Sequence, residues 1–489
     1  MFAVYTIRMN TPVDRQRVQT GVPNTHSVLD GGLLPNSATL VRGTPGAGKT
    51  IFGLHFLTAT DDPVLYINLG EPADYLEATA EQFGLDTNHI EFLDLSPSGE
   101  QFQGNQSYDL FEPDEVETTS LVDQIRDTVE EYEPTRVLVD PVTELRHLAP
   151  DTRQFRTQVL SLIDFLKNYG ATVVLTSQAA DSVPDDDLQF LVDTVISLTA
   201  DGDHRTLSVP KFRSSAARQG PHTITISDAG MFLWPTLDPT NHYREGSIST
   251  LSSGVKELDA LLGGGITTGT VSFLSGPTGV GKTTTGLQFI TEAATNNQRS
   301  VLYSFEESRR TILARAEGIG MPLREQIDAG NVVIREIGTD ELTLDEFTHR
   351  IRTEVEQEDA EIVMIDGVTG YERAFNRDNT DADHRLVKIG QYLRNMNVTG
   401  IITNEVHQIT GDFRATEHNI SHLADDIIFL RHVEYKGELQ KVIGVLKRRT
   451  SDFESTLRTL NITEEGLILG EPLSELRRIL TGTPDWNDD

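Results

Sequence analysis

The sequence predicts an α/β protein built as two tandem domains, each a mainly parallel twisted sheet flanked by helices. Three observations carry that prediction. Two phosphate-loop sequences recur in equivalent context, short apolar runs alternate with amphipathic helical stretches, and the order of features in residues 1–240 returns in 241–489. The 489 residues suffice for two sizeable cores, at roughly 100–200 residues per domain.

The repeat begins at a glycine. Gly21-Val-Pro is followed by Leu29-Asp-Gly-Gly-Leu33, the apolar stretch Ala38–Val41 and a glycine-rich loop. Gly254-Val-Lys is followed by Leu258-Asp, Gly263-Gly-Gly-Ile266, Val271–Leu274 and a second such loop. The step from leading glycine to loop glycine is 22 residues in both halves, 21 to 43 and 254 to 276. Strand-like runs ending in acid come next, Val64–Glu71 and Val301–Glu307, then apolar runs ending in aspartate, Val137–Asp140 and Ile362–Asp366. β-Branched runs with polar ends follow, Ala171–Gln178 and Thr399–Glu405, and each half closes on a Lys-x-Arg. Continuous apolar runs suit parallel strands covered on both faces, and Val122–Tyr132, Phe155–Tyr169 and Leu344–Gln357 read as the amphipathic helices between them. The proline-bearing stretch Trp234–Thr240 marks the boundary, giving domains 1–240 and 241–489. Gly99–Glu117, polar and rich in Gly, Gln and Asp, reads as a mobile surface loop, and Pro484–Asp489 as a short acidic end.

The loops are Gly43, Thr44, Pro45, Gly46, Ala47, Gly48, Lys49, Thr50 and Gly276, Pro277, Thr278, Gly279, Val280, Gly281, Lys282, Thr283, with Thr284 following. Glycines at these positions let backbone N–H groups converge on phosphate oxygens, and the helix that follows presents its positive end. Lys49 and Lys282 are placed for β- and γ-phosphates, Thr50 and Thr283 for Mg²⁺. ATP and Mg²⁺ are therefore the expected cofactors. Asp140 and Asp366, ending buried-type strands, are the expected second metal contacts. Hydrolysis needs a carboxylate to polarise the attacking water. Glu306 and Glu307 are adjacent candidates in the second half; the first has Gly70 and Glu71, one acid fewer. Lys211/Arg213 and Lys447/Arg449 recur as cations without an obvious partner in their own site. They are read as fingers that reach the γ-phosphate of a neighbouring subunit, in a ring or filament of RecA-like units.

At this point the residues resemble a known family. The tandem arrangement is similar to the KaiC family of clock ATPases and to archaeal KaiC-like members of the RecA superfamily, over essentially the whole chain. The most specific stretches are Ser253-Gly-Val, Ser304–Glu307, Ile402-Thr-Asn404, Ile420-Ser421, Asp426–Leu430, Val433-Glu434, Gly437-Glu438 and the closing Ile479–Pro484. The resemblance implies a double-ring hexamer with ATP at subunit interfaces, Glu306 and Glu307 as catalytic glutamates, and Lys447 and Arg449 acting in trans. It also implies autophosphorylation near the neighbour's ATP. Of the family's adjacent Ser and Thr acceptors this chain has Ser421 and His422, so Ser421 is the phosphoacceptor candidate and a two-site cycle is not expected. Gly70 makes the first half read as a nucleotide-clamped assembly ring. The tail through which clock members bind a partner protein is not expected beyond Pro484, and the regulatory partner stays unidentified.

Composition bounds the rest. Seventy-five acidic residues against 41 basic ones give a formal charge of −34, spread along the chain. Only nine of the 41 are lysine. Diffuse acidity with few lysines resembles proteins of salt-accumulating halophiles, especially haloarchaea, and is read as adaptation to solvent. With no cysteine, disulfides, Cys-ligated zinc, iron–sulfur clusters and thiol nucleophiles are excluded. Lacking a run near the ~20 apolar residues of a membrane span or a basic leader, the chain is expected to be cytoplasmic. Two other readings stand beside the ATPase: a RecA/RadA-type DNA-dependent enzyme and a nucleotide-binding scaffold without turnover. The segment Val406–Arg414 has one arginine where DNA-binding loops carry several cations and aromatics, so nucleic acid is disfavoured. The thirteen histidines, His407 and His432 among them, offer no paired metal spacing.

Overall fold

The computed structural model describes residues 17–486 apart from 72, 97–114, 179–184, 203, 214, 340, 376–381, 407–422, 436–437, 450–451, 474–475 and 478–484. The chain divides into two compact units, Met1–Thr236 and Leu237–Asp489.

In the first unit the strands are β1 (Ala38–Gly43), β2 (Val64–Asn68), β3 (Ile90–Asp94), β4 (Arg136–Asp140), β5 (Thr172–Gln178), β6 (Thr194–Asp201), β7 (His204–Phe212), β8 (His222–Ser227) and β9 (Gly230–Trp234). They form one sheet in the order β3-β2-β4-β5-β1-β6-β7-β8-β9. Pairings from β3 to β6 are parallel and those from β6 to β9 antiparallel. The second unit repeats this with β10 (Val271–Gly276), β11 (Ser300–Ser304), β12 (Val332–Glu336), β13 (Ile362–Asp366), β14 (Thr399–Glu405), β15 (Asp426–Tyr435), β16 (Glu438–Arg448), β17 (Arg458–Thr463) and β18 (Gly466–Pro472), ordered β12-β11-β13-β14-β10-β15-β16-β17-β18. The expected parallel sheet is present in each half, and a three-strand antiparallel extension lengthens it.

Apolar content explains the layering. In β4 alternate residues face opposite cores, Leu138 one way and Val137 and Val139 the other; β13 does the same with Met364 against Val363 and Ile365. A strand covered on both faces must be apolar throughout, which is why these runs read as continuous. The principal helices of the first unit are α1 (Lys49–Thr58), α2 (Ala73–Gln82), α3 (Glu115–Tyr132) and α4 (Thr152–Asn168). α4 buries Phe155, Val159, Ile163 and Leu166 at helical spacing, and Asp151 caps it by accepting from the Gln154 N–H at 2.7 Å. α3 opens at Glu115, so the last three residues of the expected Gly99–Glu117 loop are helical, and the remainder lies outside the described residues.

In the second unit we label α5 (Lys282–Thr295), α6 (Arg309–Gly318), α7 (Leu344–Glu356), α8 (Val368–Phe375) and α9 (Ala382–Asn395). α7 starts on an N-cap, Thr343 accepting from the Glu346 N–H. The units divide at 236/237, a few residues before the expected 240. Leu237 is buried in the second unit's core, and the Pro239 carbonyl accepts from the Asn395 amide of α9. Among the described residues no helix is long and apolar enough to cross a membrane.

β1 and β10 sit mid-sheet, each between strands that follow it late in the sequence. A loop leaving the carboxyl edge of such a strand opens onto the crevice where α/β sheets bind ligands. Behind the first loop, His55 of α1 is buried and its Nε2 accepts from the Met231 N–H at 2.9 Å, an interaction only the neutral tautomer makes. Burial lowers the His55 pKa from its ordinary 6.5. A depressed base contributes full stability above the unfolded pKa and loses it as pH falls through the folded value. Urea unfolding of the first unit, followed by Trp234 fluorescence in a Trp486→Phe variant, should weaken as pH drops below about 6.5. His55→Gln should be less stable at neutral pH, with a shallower acid slope. An unchanged slope would refute the assignment.

Candidate functional site

Each phosphate loop is shaped by contacts that exclude larger residues. A Cβ on Gly276 would lie 2.2 Å from the Leu430 carbonyl oxygen, and Gly281, at φ +112°, adopts a conformation few other residues tolerate. Gly48 repeats it at φ +99°. Lys282 Nζ folds back onto the carbonyls of Gly276 (2.8 Å) and Pro277 (3.0 Å), and Lys49 onto those of Gly43 (2.9 Å) and Thr44 (3.0 Å). Burial lowers both ammonium pKa values, while nearby carboxylates, Glu405 and Glu306 for Lys282 and Asp140 for Lys49, raise them.

The strand-end aspartates meet the loop threonines. Thr283 donates to Asp366 at 2.9 Å and Thr50 to Asp140 at 2.8 Å. Asp366 also accepts from Thr403 of β14 at 2.7 Å; Asp140 accepts from Tyr66 of β2 at 2.8 Å and from Thr176 of β5. Burial pushes Asp366 up to about 6, with Thr403 and Thr283 opposing. A hydroxyl and a carboxylate at hydrogen-bond distance, both hard oxygen donors, fit Mg²⁺ carried in with a phosphate chain. Bound there, the ion would neutralise charge on the phosphate oxygens.

Glu306 follows a residue fixed in an aromatic cluster. Phe305 packs into an aromatic cluster with Phe347, Tyr371 and Phe375, at ring separations of 5.4, 5.6 and 5.9 Å. Glu306, the residue after it, lines a cavity of about 430 Å³ with Lys282, Thr283, Asp366 and Glu405. Its carboxylate accepts from the Gly370 N–H at the start of α8. Partial shielding, then Glu405 opposite, raise the Glu306 pKa, although the residue keeps contact with solvent. Glu307 is held differently: Arg315 of α6 grips both its oxygens, at 2.5 and 2.6 Å.

The first half builds a cavity of about 540 Å³ from Lys49, Thr50, Tyr66, Gly70, Glu71, Asp140, Pro141, Glu144 and Gln178. Glu71 lines it with no acid at 70.

The ATPase family described as KaiC matches the chain twice, at residues 18–237 and 251–474. The chain belongs to that family. It is 27% identical over 486 residues to the circadian clock oscillator protein KaiC of Synechococcus elongatus, covering 96% of this chain and 92% of that protein. It is 28% identical over 489 residues to the protein of that name from Prochlorococcus marinus, covering 96% and 95%, and 26% over 490 residues to the circadian clock protein KaiC3 of Synechocystis, covering 96% and 94%. Both units thus carry the α/β fold of KaiC-family ATPase domains.

The Lys-x-Arg pairs lie apart from their own loops, and none of the four residues lines the cavity of its own half. The ammonium groups have partners within the chain: Lys211 donates to the carbonyls of Gln189 and Val192, both at 2.7 Å, and Lys447 to that of Ala424 at 2.6 Å. Arg213 stands 3.6 Å from Asp193 and Arg449 3.5 Å from Asp425, each with about half its side chain exposed (55% and 52%). Ser421, His422 and His407 lie outside the described residues.

Sequence reasoning passed over Tyr66, Thr176, Thr403, Arg315, Glu144 and Glu405. Only the hydroxyls of Thr176 and Thr403 left a signal, their shared place in the two β-branched runs. Asp140 offers a direct test of the site's scaffold. Asp140→Ala leaves the hydroxyls of Thr50, Tyr66 and Thr176 without their acceptor and should cost roughly 2–4 kcal/mol in urea unfolding. Thr50→Val removes only one of these donors and should cost about 1 kcal/mol. Equal losses would contradict this account.

Proposed function

We propose that the chain works as a nucleotide-dependent homo-hexamer that binds ATP at both loops, between subunits, and hydrolyses it in the second half. The observation that carries this reading is the meeting of Lys282, Thr283, Asp366 and Glu306 around one cavity. Two loops grip triphosphate, two hydroxyl–carboxylate pairs hold Mg²⁺, and Glu306 takes a proton from the attacking water. Glu307 positions the strand end through Arg315. Arg449, half exposed and outside its own cavity, reaches the γ-phosphate of a neighbouring subunit while Lys447 braces the strand; Arg213 and Lys211 do the same in the first ring. The output is regulatory, read by a partner protein, with Ser421 as an autophosphorylation site.

In molar potassium chloride, Lys282→Ala and Glu306→Gln should each lower ATP hydrolysis about 10²-fold or more at the second site. Lys49→Ala should chiefly impair nucleotide-dependent assembly, and Ser421→Ala should abolish label transfer from γ-labelled ATP. Turnover that survives Lys282→Ala unchanged but vanishes in Lys49→Ala would sink the second-half assignment. A monomer under every nucleotide condition would sink the trans arginines.

The pH dependence follows from Glu405. A base whose pKa is raised stays protonated, and so inactive, to higher pH. Removing the facing negative charge lets Glu306 ionise earlier. In the assembled protein, Glu405→Gln should therefore move the acid limb of the pH–rate profile to lower pH. A limb that moves upward would contradict the arrangement.

A further inference from the structure

The two halves place a carboxylate against the phosphate loop in different ways, and the differences are reciprocal. Strand register anchors the comparison as far as the strand ends, beyond which residues correspond by count along the chain, a 3-10 turn at Val142–Leu148 standing where α8 does. Asn68 pairs with Asp140 and Ser304 with Asp366. Counting on from these pairs, Gly70 stands where Glu306 does, Pro141 where Gly367 does, and Glu144 where Gly370 does.

In the second half a side chain at 370 is barred. Its Cβ would come 2.8 Å from the Phe305 Cβ and 2.9 Å from the Glu306 Cγ. A Cβ at 367 would likewise fall 2.9 Å from the Glu306 Cγ and Cδ. The glycines at 367 and 370 make room for Glu306, and the clash gives a direction: a side chain at 370 starts toward the volume that the Glu306 stem fills. The first half has no such stem. Position 70 is glycine, and a Cβ there would lie 2.9 Å from the Pro141 Cδ. Position 144, freed of a facing stem, carries glutamate. Glu144 lines the same cavity as Lys49, Thr50 and Asp140. Its side chain is 39% exposed, and the nearby His147 Nε2, at 4.0 Å, is beyond hydrogen-bond distance.

Glu71 is the competing acid. Its counterpart Glu307 gives both oxygens to Arg315 of α6, whereas α2 carries no basic residue, so Glu71 lines the cavity without that ion pair and is separated from Glu144 by comparing the two variants.

We propose that Glu144 is the catalytic carboxylate of the first half, supplied from the turn after β4 instead of the end of β2, and that this half hydrolyses ATP. The proposal rests on the reading that the first loop binds ATP. The water oxygen bonds to the γ-phosphorus as the bond from that phosphorus to the β–γ bridging oxygen breaks, with ADP leaving. One water proton stays on the phosphate formed, and the other passes to the Glu144 carboxylate and on to solvent.

The test uses the full chain with Lys282→Ala, which silences the second loop. Single-turnover hydrolysis is compared for that parent, Glu144→Gln and Glu71→Gln, alongside equilibrium binding of ADP and of the β,γ-imido analogue of ATP. Glu144→Gln should slow hydrolysis about 10²-fold or more. It should tighten the imido analogue several-fold, because a negative charge facing the γ-phosphate is gone, and leave ADP binding unchanged. Glu71→Gln should slow hydrolysis less than Glu144→Gln does, and the reverse order would overturn the proposal. Hydrolysis in Glu144→Gln within about threefold of the parent, with binding intact, would overturn the proposal, as would a parent that binds ATP without hydrolysing it. A parent that binds neither nucleotide would overturn the underlying reading of the first loop, and this proposal with it.

Discussion

One buried carboxylate in each half holds the nucleotide site together. Asp140 and Asp366 end the strand next to the mid-sheet pair, where hydroxyls from the loop helix and from the adjoining strand converge on them. A buried charge is tolerated only when its lone pairs are occupied. These hydrogen bonds therefore fix the loop helix against the sheet before any ligand arrives. The site is a by-product of that requirement. The hydroxyls that satisfy the aspartate are the ones a metal ion would share, and the loop leaves the sheet at the one place where its N–H groups can face outward. Lys49 and Lys282, folded onto loop carbonyls, complete a cradle already closed on itself.

Around this common frame the halves diverge in linked sets of residues. Glu306 requires glycine at 367 and at 370; Gly70 accompanies proline at 141 and glutamate at 144. No single substitution interconverts the two arrangements. Glutamate at 70 meets Pro141, and glutamate at 370 meets Glu306. The set also extends across the sheet, where β5 ends in Gln178 and β14 in Glu405, each paired with the loop's first glycine. Like charges at 306 and 405 share one cavity only because Lys282 and the Gly370 N–H stand beside them.

What the sequence made legible was whatever short-range geometry dictates. Glycine, lysine and threonine at fixed spacing satisfy a loop whose backbone tolerates nothing else, and apolar runs of strand length must be covered on both faces. Sheet order and doubled organisation followed from the repeat. Glu144, Glu405, Tyr66 and Arg315 were not legible, because each reaches the cavity from another element through sheet order. An acid in an acidic chain carries no mark of where it points. Glu144 could have been found by aligning the halves at Asp140 and Asp366, since glutamate opposite glycine beside a missing glutamate is a signal of compensation. The sequence reading missed it because it treated the absent acid at 70 as a loss at one position.

The scarcity of lysine takes on meaning from the contacts. Of nine lysines in the chain, Lys49, Lys282, Lys211 and Lys447 all give their ammonium groups to main-chain carbonyls. The chain otherwise favours arginine, and a guanidinium is the better partner for an exposed carboxylate because its planar fork binds both oxygens, as Arg352 does with Glu356. Backbone carbonyls are not reserved for lysine, since the Arg136 guanidinium donates to those of Gln19, Phe56 and Ala59, and Lys167 pairs with the Asp193 carboxylate. In the Lys-x-Arg pairs the lysine ties its strand to carbonyls outside it, and the arginine two residues on stands beside an aspartate, Asp193 or Asp425, with about half its side chain exposed.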